Sequence, residues 1–457
     1  MTYLWSKKFS YTLDDLTKEI RSEIYTEPYE SVKFSAHRNS IAHTDNNFPK
    51  KWIVHFMNFL LVWLWIPIRW SSLVQRAEDR VWELIKAEDK NADDTSLNVV
   101  VNSLHLIACY IHDGEGSETV RVHRERILQF LWMKEDGMAC SFVDGLQVWD
   151  TALSIHSIQA AGLANDPEYR PMLTKAHEFL EVHQLRENVE NQEDWYRQHR
   201  KGGWAFNRTD QGHMISEVTG EALQSVLQLQ ELHNFPKLVS DQRIEDSVDC
   251  LLRMQNDTGG FGVYEKRRGS QKLEMLDSAE FVAKGLVSYD FVECTGPAVT
   301  ALFWFTKFYP NHRSEEIKYA KNRGLEFIRK SQNKDGGWWG CWGICFTYGG
   351  LWALDALALN GEECNTSEIC RRGCEFLLSK QKVDGGWGES YLSCEQQVYV
   401  HRKDSQVVQT AWACLALMAA NYPDRQPITK GIKLIMSRQQ PNGEWLQEDL
   451  EGSIGSG

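Results

Sequence analysis

The sequence has little positive charge for its acidic content. It carries 50 Lys and Arg against 63 Asp and Glu, which gives a formal net charge of -13. Proteins that bind nucleic acids usually present a basic face, so we expect no nucleic-acid partner. The P-loop, G-x-G-x-x-G and G-x-S-x-G patterns are also absent, so the sequence carries none of these nucleotide-binding and serine-hydrolase signatures.

Paired-cysteine motifs are missing as well. The eleven cysteines are odd in number and include no C-x-x-C pair, which favours free thiols in a reducing compartment over a disulfide framework. Cys341 and Cys345 are four residues apart, as are Cys370 and Cys374. Without nearby histidines these pairs favour packing over zinc binding, and we predict no metal and no cofactor.

Strand signals are scarce, whereas helical periodicity is abundant. After residue 70, apolar residues recur at three- and four-residue spacing in about thirteen segments. Glycine, proline and asparagine separate these segments. The pattern predicts an all-α fold, and 457 residues with 42% hydrophobic content are enough for a large core.

Only one long apolar run occurs, "WIVHFMNFLLVWLWIPIRW" at residues 52–70. Its length could just span a bilayer, but His55 and Pro67 weaken that interpretation. Burial in the protein core and insertion in the plane of the membrane interface are the alternatives. We predict in-plane insertion, with residues 1–70 forming an amino-terminal arm and residues 71–457 forming one helical domain.

A repeated motif of the form Q-x3-G-x-W divides the remainder of the chain. Its copies begin at Gln198, Gln255, Gln332, Gln381 and Gln439, the second copy having Phe in place of Trp. The spacing leaves room for about two helices in each repeat. We expect each Gln to end one helix and the glycine pair to allow a sharp turn, so that the helix pairs stack into a solenoid or a closed ring.

Two carboxylates lie four residues apart in "SEVTGE", residues 216–221. Like charges at this spacing cost a few tenths of a kcal/mol on an exposed helix and more when buried. Taken alone, Glu217 and Glu221 are expected to be exposed residues of a first helical turn, which the helix dipole favours. The alternative is a buried pair in which one carboxyl is held protonated.

The Q-x3-G-x-W repeats resemble the QW motifs of the triterpene cyclases. Further segments are similar to oxidosqualene cyclases of the lanosterol synthase-like terpene cyclase/mutase family: 146–153, 200–206, 289–299, 339–350, 384–395 and 439–452. The resemblance runs in order from about residue 70 to the end. It implies a single (α/α)6 barrel of repeated helix pairs, truncated so that most of the family's second barrel is lacking.

This resemblance also implies an activity and a location. In the family a protonated Asp in a D-C-T-A-E motif gives its proton to an epoxide, and aromatic rings stabilise the cation that travels along the polyene. Membrane attachment in the family is monotopic. We therefore expect an apolar polyene as substrate and a peripheral position on the cytoplasmic face of the endoplasmic reticulum or another lipid membrane.

The family motif transfers to specific positions of this chain. Glu217 stands at the position of the acid and Glu221 at that of the supporting carboxylate. Cys294 matches one of two cysteine donors, and Val218 replaces the other. His213 stands where the family usually has Trp, and it is either a second proton carrier or a simple polar replacement.

Aromatic residues at the family's cavity-facing positions are the predicted substrate-binding residues. They are Trp149, Phe206, Tyr264, Trp342, Phe346 and Tyr348, with Val218 beside the acid. Such rings stabilise a cation by roughly 0.5 to 2 kcal/mol each, although core packing is the alternative role of each ring.

Other chemistries lack their motifs. There is no D-x-D-D, no D-D-x-x-D and no D-x-C. Three hypotheses therefore stay open. The first is a truncated enzyme with a general acid that cyclises or rearranges an isoprenoid, meroterpenoid or polyketide through an epoxide, alkene or carbonyl. The second is a non-catalytic protein that binds a lipid or a partner. The third is one half of a split cyclase, with a partner chain or a second copy covering the open cavity.

Overall fold

The structure is a computed structural model that describes all residues except 38, 43–48, 136, 142–144, 280–285 and 453–457. Its helices are α1 (Thr2–Lys7), α2 (Asp15–Ile24), α3 (Trp52–Leu60), α4 (Ile66–Ile68), α5 (Ser71–Asn91), α6 (Val99–Asp113), α7 (Glu118–Ile127), α8 (Gln147–Ala160), α9 (Arg170–His183), α10 (Ser216–Glu231), α11 (Asp241–Met254), α12 (Val292–Phe308), α13 (Ser314–Lys330), α14 (Phe346–Leu359), α15 (Glu368–Lys380), α16 (Leu392–Gln396), α17 (Val407–Ala419) and α18 (Gln426–Ser437). Two short antiparallel two-stranded sheets accompany them, β1 (Leu131–Lys134) with β2 (Gly137–Cys140) and β3 (Trp387–Glu389) with β4 (His401–Gln406). The all-α prediction is confirmed.

Ten of these helices form five consecutive pairs: α8/α9, α10/α11, α12/α13, α14/α15 and α17/α18. The first helices of the pairs pack side by side in the order α8, α10, α12, α14, α17. Helices α10, α12 and α14 are buried on nearly all sides, whereas α11, α13, α15 and α18 bury one stripe each. A helix that is buried all round lies inside, and an amphipathic one lies outside. The described residues thus supply five of the six pairs of the predicted barrel.

The repeated motif works as expected in four of its five copies. Gln255, Gln332, Gln381 and Gln439 each follow the end of a helix by one or two residues and donate an amide hydrogen bond to the glycine carbonyl four positions on. The first glycine of each of these copies has φ between 90° and 97°, a backbone conformation that favours glycine. Each tryptophan indole of the last three copies donates to a carbonyl ten positions earlier, at the end of the preceding helix.

The first copy departs from the prediction. Gln198 does not end a helix, because α9 ends at His183 and its cap is Gln184. The Gln184 amide donates to the carbonyl of Gly202, 18 positions on, instead of four. The Trp204 indole correspondingly reaches back 24 positions to Leu180 instead of ten. An insertion between Gln184 and Gly202 therefore separates the two halves of this motif and creates an accidental match at Gln198.

The first helix of the amino-terminal segment contacts the rest of the chain. Helix α1 packs on α5 through the buried Tyr3, and Lys7 forms a 2.7 Å ion pair with Glu78. No observation tests the proposed division between residues 70 and 71, which stays a prediction.

The apolar run forms a helix from Trp52 to Ile68 with a π-helical turn, Leu61–Trp65, in its middle. Its side chains are mostly exposed, including 74% of Trp52 and 67% of Trp63, so the core-burial alternative is wrong. In the described part of the chain, no single helix has both the length and the apolar character to cross a bilayer. By those two criteria Trp52–Ile68 passes only together with Ser71–Asn91, to which it lies at 115°.

Candidate active site

Close packing of three inner helices creates the site. Gly220 of α10 faces α12 so tightly that an added Cβ would lie 2.6 Å from the backbone of Pro297. Gly296 of α12 is equally confined, because a Cβ there would lie 2.8 Å from the carbonyl oxygen of Trp352 on α14. These contacts bring the amino-terminal turns of α10 and α12 together, and Glu217 thereby meets Cys294.

Glu217 is a buried carboxyl group in direct contact with a thiol. Its side chain is 5% exposed, and the Cys294 thiol donates a hydrogen bond to Oε2 across 2.7 Å. Burial raises the pKa of Glu217 to about 8, the Cys294 hydrogen bond lowers it, and the charges of Glu293 and Glu221 raise it further. The surroundings of Glu217 thus favour its protonated form at neutral pH.

Glu293 is a third carboxylate beside this pair. It is 1% exposed, and its Oε1 accepts hydrogen bonds from the backbone N–H groups of Cys341 at 2.5 Å and Trp342 at 3.1 Å. It thus fixes the loop that carries Trp342 and at the same time destabilises the charged form of Glu217.

Two tyrosines share the electrostatic environment of the acid. Burial raises the pKa of Tyr264 to about 12, with the charge of Glu217 adding to the effect. Burial and the charges of Glu217 and Glu293 also raise the pKa of Tyr348 well above its usual range. Both phenols therefore keep their protons and lie close enough to Glu217 to feel its ionisation.

Glu221 has a different environment one helical turn away. Its Oε2 lies 2.9 Å from Nδ1 of His156, and its Oε1 accepts a 3.1 Å hydrogen bond from Gln224. The other nitrogen of His156 lies 2.9 Å from the Ser225 hydroxyl. Burial and the charge of Glu221 raise the pKa of Asp355 on α14 to about 6, and His156 opposes this shift. The two carboxylates of "SEVTGE" thus have separate partners and separate roles.

Aromatic rings accompany these polar groups. The ring centroid of Trp149 lies 6.3 Å from that of Phe206 and 6.0 Å from that of Trp352. Tyr348 lies 5.8 Å from Trp352 and 4.8 Å from Trp412. The structure therefore brings Trp149, Phe206 and Tyr348 into one aromatic series through Trp352.

Four predicted substrate-binding residues lie outside that series: Tyr264 is 6.1 Å from His213, Trp342 is 5.7 Å from Phe291, and the other two are Phe346 and Val218. Phe346 is fully buried, with its ring 5.7 Å from Phe376 of the outer helix α15 and 6.2 Å from Tyr399. Val218 is fully buried in the hydrophobic core. Both positions favour a packing role, because their side chains are engaged by the protein itself.

Both ring nitrogens of His213 have partners other than Glu217 in this structure. Its Nε2 lies 2.6 Å from Glu88, and its Nδ1 lies 2.9 Å from the Arg197 guanidinium. Arg197 in turn pairs with Glu265 at 3.0 Å. Because both ring nitrogens are occupied, His213 connects α5 to the barrel as part of an ion-pair network, and the polar-replacement interpretation is favoured.

Several residues of the site were not predicted. Glu293 directly precedes Cys294 in "VECT", and Asp355 is the only charged residue of "LWALDALAL". An isolated carboxylate in an apolar helix is a recognisable signal of a functional or paired group. His156, Trp352 and Trp412 carry no comparable signal, because their roles depend on contacts between separate helices.

Comparison with known proteins places these residues in a family. Residues 146–455 match the squalene-hopene cyclase C-terminal domain. Lanosterol synthase erg7A of Aspergillus fumigatus is 57% identical over 99% of this chain and 60% of its own length. Terpene cyclase/mutase ntnI of a Nectria species is 54% identical over 100% of this chain and 63% of its own length. The chain thus spans less than two thirds of the length of these relatives.

Among solved structures, ent-copalyl diphosphate synthase from Streptomyces platensis covers 71% of this chain and 49% of its own, at 15% identity and a TM-score of 0.47. That superposition is too poor to support a functional conclusion. The sequence match, in contrast, extends over more than half of the chain and includes the turns of α10 and α12 that hold Glu217 and Cys294. The chain belongs to the family defined by the squalene-hopene cyclase C-terminal domain.

Proposed function

We propose that this chain cyclises or rearranges an apolar polyene, with Glu217 as the general acid. The observation that carries the proposal is the buried Glu217 carboxyl in contact with the Cys294 thiol, where burial raises its pKa to about 8. A carboxyl with a pKa near the working pH combines the required protonation state with a useful driving force for proton transfer. Glu217 gives its proton to an epoxide oxygen, alkene carbon or carbonyl oxygen of the substrate.

The electron balance of this reaction needs no co-reactant. Protonation makes the substrate electron-deficient, and the π electrons of successive double bonds form new carbon–carbon bonds. Loss of a proton from the final cation gives a product of the same composition as the substrate, which makes the reaction an isomerisation. The Trp149, Trp352 and Tyr348 rings offer π faces to such a cation, at roughly 0.5 to 2 kcal/mol per ring in a dry site.

The substrate class follows from the relatives and from the acid. The similar proteins are named lanosterol synthase and terpene cyclase/mutase, which supports an isoprenoid or a terpene-derived polyene. Glu at the acid position carries one more methylene than the Asp of the D-C-T-A-E motif and moves the proton by about 1 Å, enough to affect alignment. We therefore infer that the substrate group that accepts the proton from Glu217 has a different position from an epoxide that accepts it from Asp.

Product profiling tests the proposal. The full chain is expressed in a host that accumulates squalene epoxide, and extracts are compared by mass spectrometry with those of Glu217→Gln. Glu375→Gln, an exposed position on α15, is the matched control. A new isomer of equal mass in the wild type and the control that is missing with Glu217→Gln supports the proposal. Full product formation by Glu217→Gln, or none by the wild type with any polyene, contradicts it.

We also infer that the Trp52–Ile68 helix rests in the membrane interface. Its exposed apolar side chains include Trp52, Phe56, Phe59, Trp63 and Leu64. Lys50, Lys51 and Arg69 lie at its two ends, where they reach lipid headgroups. An apolar face between basic residues is typical of a helix that lies in the interface without crossing.

Vesicle co-sedimentation tests this attachment. Trp63→Glu places a charge on the proposed membrane face, and Trp132→Glu places the same charge at an exposed tryptophan of the β1–β2 hairpin. We expect the full chain and Trp132→Glu to sediment with anionic vesicles and Trp63→Glu to stay in solution. Equal behaviour of the two variants, or no sedimentation of the wild type, contradicts the inference.

A further inference from the structure

A cluster of metal-ligating side chains lies outside the five helix pairs. It joins Asp89 of α5, Cys109 of α6 and His123 of α7, three helices that precede the segment matched by the family model. All three side chains are buried, with exposures of 2%, 0% and 0%. One ligand atom from each residue lies within 4.8 Å of the others. Three different helices thus present an oxygen, a sulfur and a nitrogen to one point.

The His123 ring is buried with only a long ion-pair contact to Asp89, 3.4 Å from its Nε2. In the part of the chain that the structure describes, neither ring nitrogen has a hydrogen-bond partner. The nearest acceptors to Nε2 are Asp89 Oδ2 at 3.4 Å and Asp94 Oδ1 at 3.8 Å. Buried polar groups are almost always satisfied, so a fully buried imidazole among three potential ligands points to an occupant other than protein.

The spacing of the atoms fits a tetrahedral metal ion. Zinc bonds of about 2.0 Å to oxygen and nitrogen and about 2.3 Å to sulfur put neighbouring ligand atoms about 3.3 to 3.6 Å apart. Asp89 Oδ2 lies 3.4 Å from His123 Nε2 and 4.0 Å from Cys109 Sγ. The Asp89–His123 separation matches a shared zinc ion, and the Asp89–Cys109 separation exceeds the ideal value by about half an ångström.

A second histidine holds the carboxylate in position. The Nδ1 atom of His105 lies 2.7 Å from Asp89 Oδ1, the carboxylate oxygen other than the one beside His123. Histidine–carboxylate contacts of this kind orient a metal-ligating group and commonly change metal affinity 10- to 100-fold. The Lys86 ammonium lies 2.9 Å from Asp89 Oδ2. A metal ion bound to this oxygen would replace Lys86 as the positive charge beside the carboxylate.

We propose that Asp89, Cys109 and His123 bind one Zn²⁺ ion that fastens α5, α6 and α7 together, with the fourth position facing Asp94. Zinc is favoured because mixed nitrogen, sulfur and oxygen ligands in a tetrahedral arrangement suit its borderline softness. This site was not expected from the sequence, since no two of its ligands form a C-x-x-C or similar local pattern. It is independent of Glu217 and of the cyclisation proposed above.

Metal content and cobalt spectroscopy of the purified full chain test the proposal. The chain is dialysed against a weak chelator and its zinc measured by mass spectrometry, and zinc is then replaced by Co²⁺. We expect about one zinc per chain, and a thiolate-to-cobalt charge-transfer band together with the visible bands of tetrahedral cobalt.

Three variants make the outcome specific. Cys109→Ser is expected to lose the thiolate band and to bind zinc at least about 10-fold more weakly. Cys250→Ser changes an equally buried cysteine on α11 and is expected to behave like the wild type. If Cys109→Ser does not fold, as judged by circular dichroism, Cys109→Asp keeps a ligand and is expected to retain zinc without the thiolate band. Absence of bound zinc in the wild type, or a thiolate band that persists without Cys109, overturns the proposal.

Discussion

The Cys294 thiol donates a hydrogen bond to Oε2 of Glu217 across 2.7 Å, although the two residues are 77 positions apart in the chain. This bond favours the charged form of Glu217, while burial and the charges of Glu293 and Glu221 oppose it. The balance leaves a pKa of about 8. Changes to Cys294 and Glu293 are therefore expected to move the pH dependence of turnover in opposite directions.

Loss of the thiol is expected to move the alkaline limb of the pH–rate profile upwards. Without the hydrogen bond that lowers its pKa, Glu217 in Cys294→Ala keeps its proton to higher pH, by about one unit. Initial rates of product formation across pH 6 to about 10 measure the shift. Cys294→Ser retains a hydrogen-bond donor, and its alkaline limb is expected to stay near that of the wild type. An alkaline limb at lower pH in Cys294→Ala would contradict the hydrogen bond assigned between Cys294 and Glu217.

Removal of a neighbouring charge is expected to shift the same limb downwards. The charge of Glu293 raises the pKa of Glu217, so Glu293→Gln lowers that pKa by about half a unit to one unit. The glutamine carbonyl oxygen still accepts from the N–H groups of Cys341 and Trp342, which preserves the loop. The same rate measurements apply, and a limb that does not move would show that Glu293 has no electrostatic effect on the acid.

The ionisation of Glu217 is also expected to affect stability. In the unfolded chain its pKa is near 4.5, and in the folded chain it is about 8, so the folded state binds the proton more tightly. The contribution of this proton to stability is full below pH 4.5 and is lost as the pH rises towards 8. Glu217→Gln has no such loss and should gain about 2 to 5 kcal/mol relative to the wild type between pH 4.5 and 9.

Urea unfolding at several pH values measures this difference. Burial also raises the pKa of Asp355 to about 6 and that of Glu389 to about 7. Both groups are present in the wild type and in Glu217→Gln, so their effects cancel in the comparison. A stability difference that does not change with pH would mean that Glu217 is ionised in the folded protein over the whole range.

Replacement of Gln184 is expected to lower the free energy of unfolding more than replacement of Gln198, the other candidate glutamine of the first repeat. The Gln184 amide is buried and donates to the carbonyls of Gly202 and Arg243 and to the Ser247 hydroxyl. Gln184→Ala removes these buried hydrogen bonds and the side-chain oxygen that accepts from the Arg243 guanidinium, and should cost about 2 to 3 kcal/mol. The Gln198 side chain bonds to the partly buried backbone of Lys266, so Gln198→Ala should cost less. Chemical denaturation measures the free energy of unfolding of both variants. An equal loss in the two variants, or a larger loss in Gln198→Ala, would contradict the assignment of Gln184 as the glutamine of the first repeat.

The repeats show how far the sequence determines the fold. Gln332 and Gln381 stand four residues before the first glycine of their motifs, and there the local motif is sufficient to locate the ends of α13 and α15. At Gln184 the same interactions cross a long insertion, and local pattern matching selects Gln198 instead. The end of the amphipathic segment at His183 was the available signal, since the apolar periodicity stops there whether or not a glycine pair comes next.

The candidate site depends on long-range contacts to a greater extent. The positions of Glu217 and Cys294 came from resemblance to a family motif, because no local rule connects residues on two separate helices. The resemblance could not reveal that the ring nitrogens of His213 contact Arg197 and Glu88. Nor could it reveal that Phe346 packs outwards against Phe376. Side-chain direction at those positions depends on partners that are distant in the sequence.

The protonation state of Glu217 is the central claim, and infrared difference spectroscopy measures it most directly. The wild-type spectrum minus that of Glu217→Gln isolates the carbonyl stretch of a protonated carboxylic acid from the other buried carboxyls. We predict such a band at pH 7, with a loss on titration near pH 8. A difference spectrum at pH 7 that shows only carboxylate bands would contradict Glu217 as the general acid.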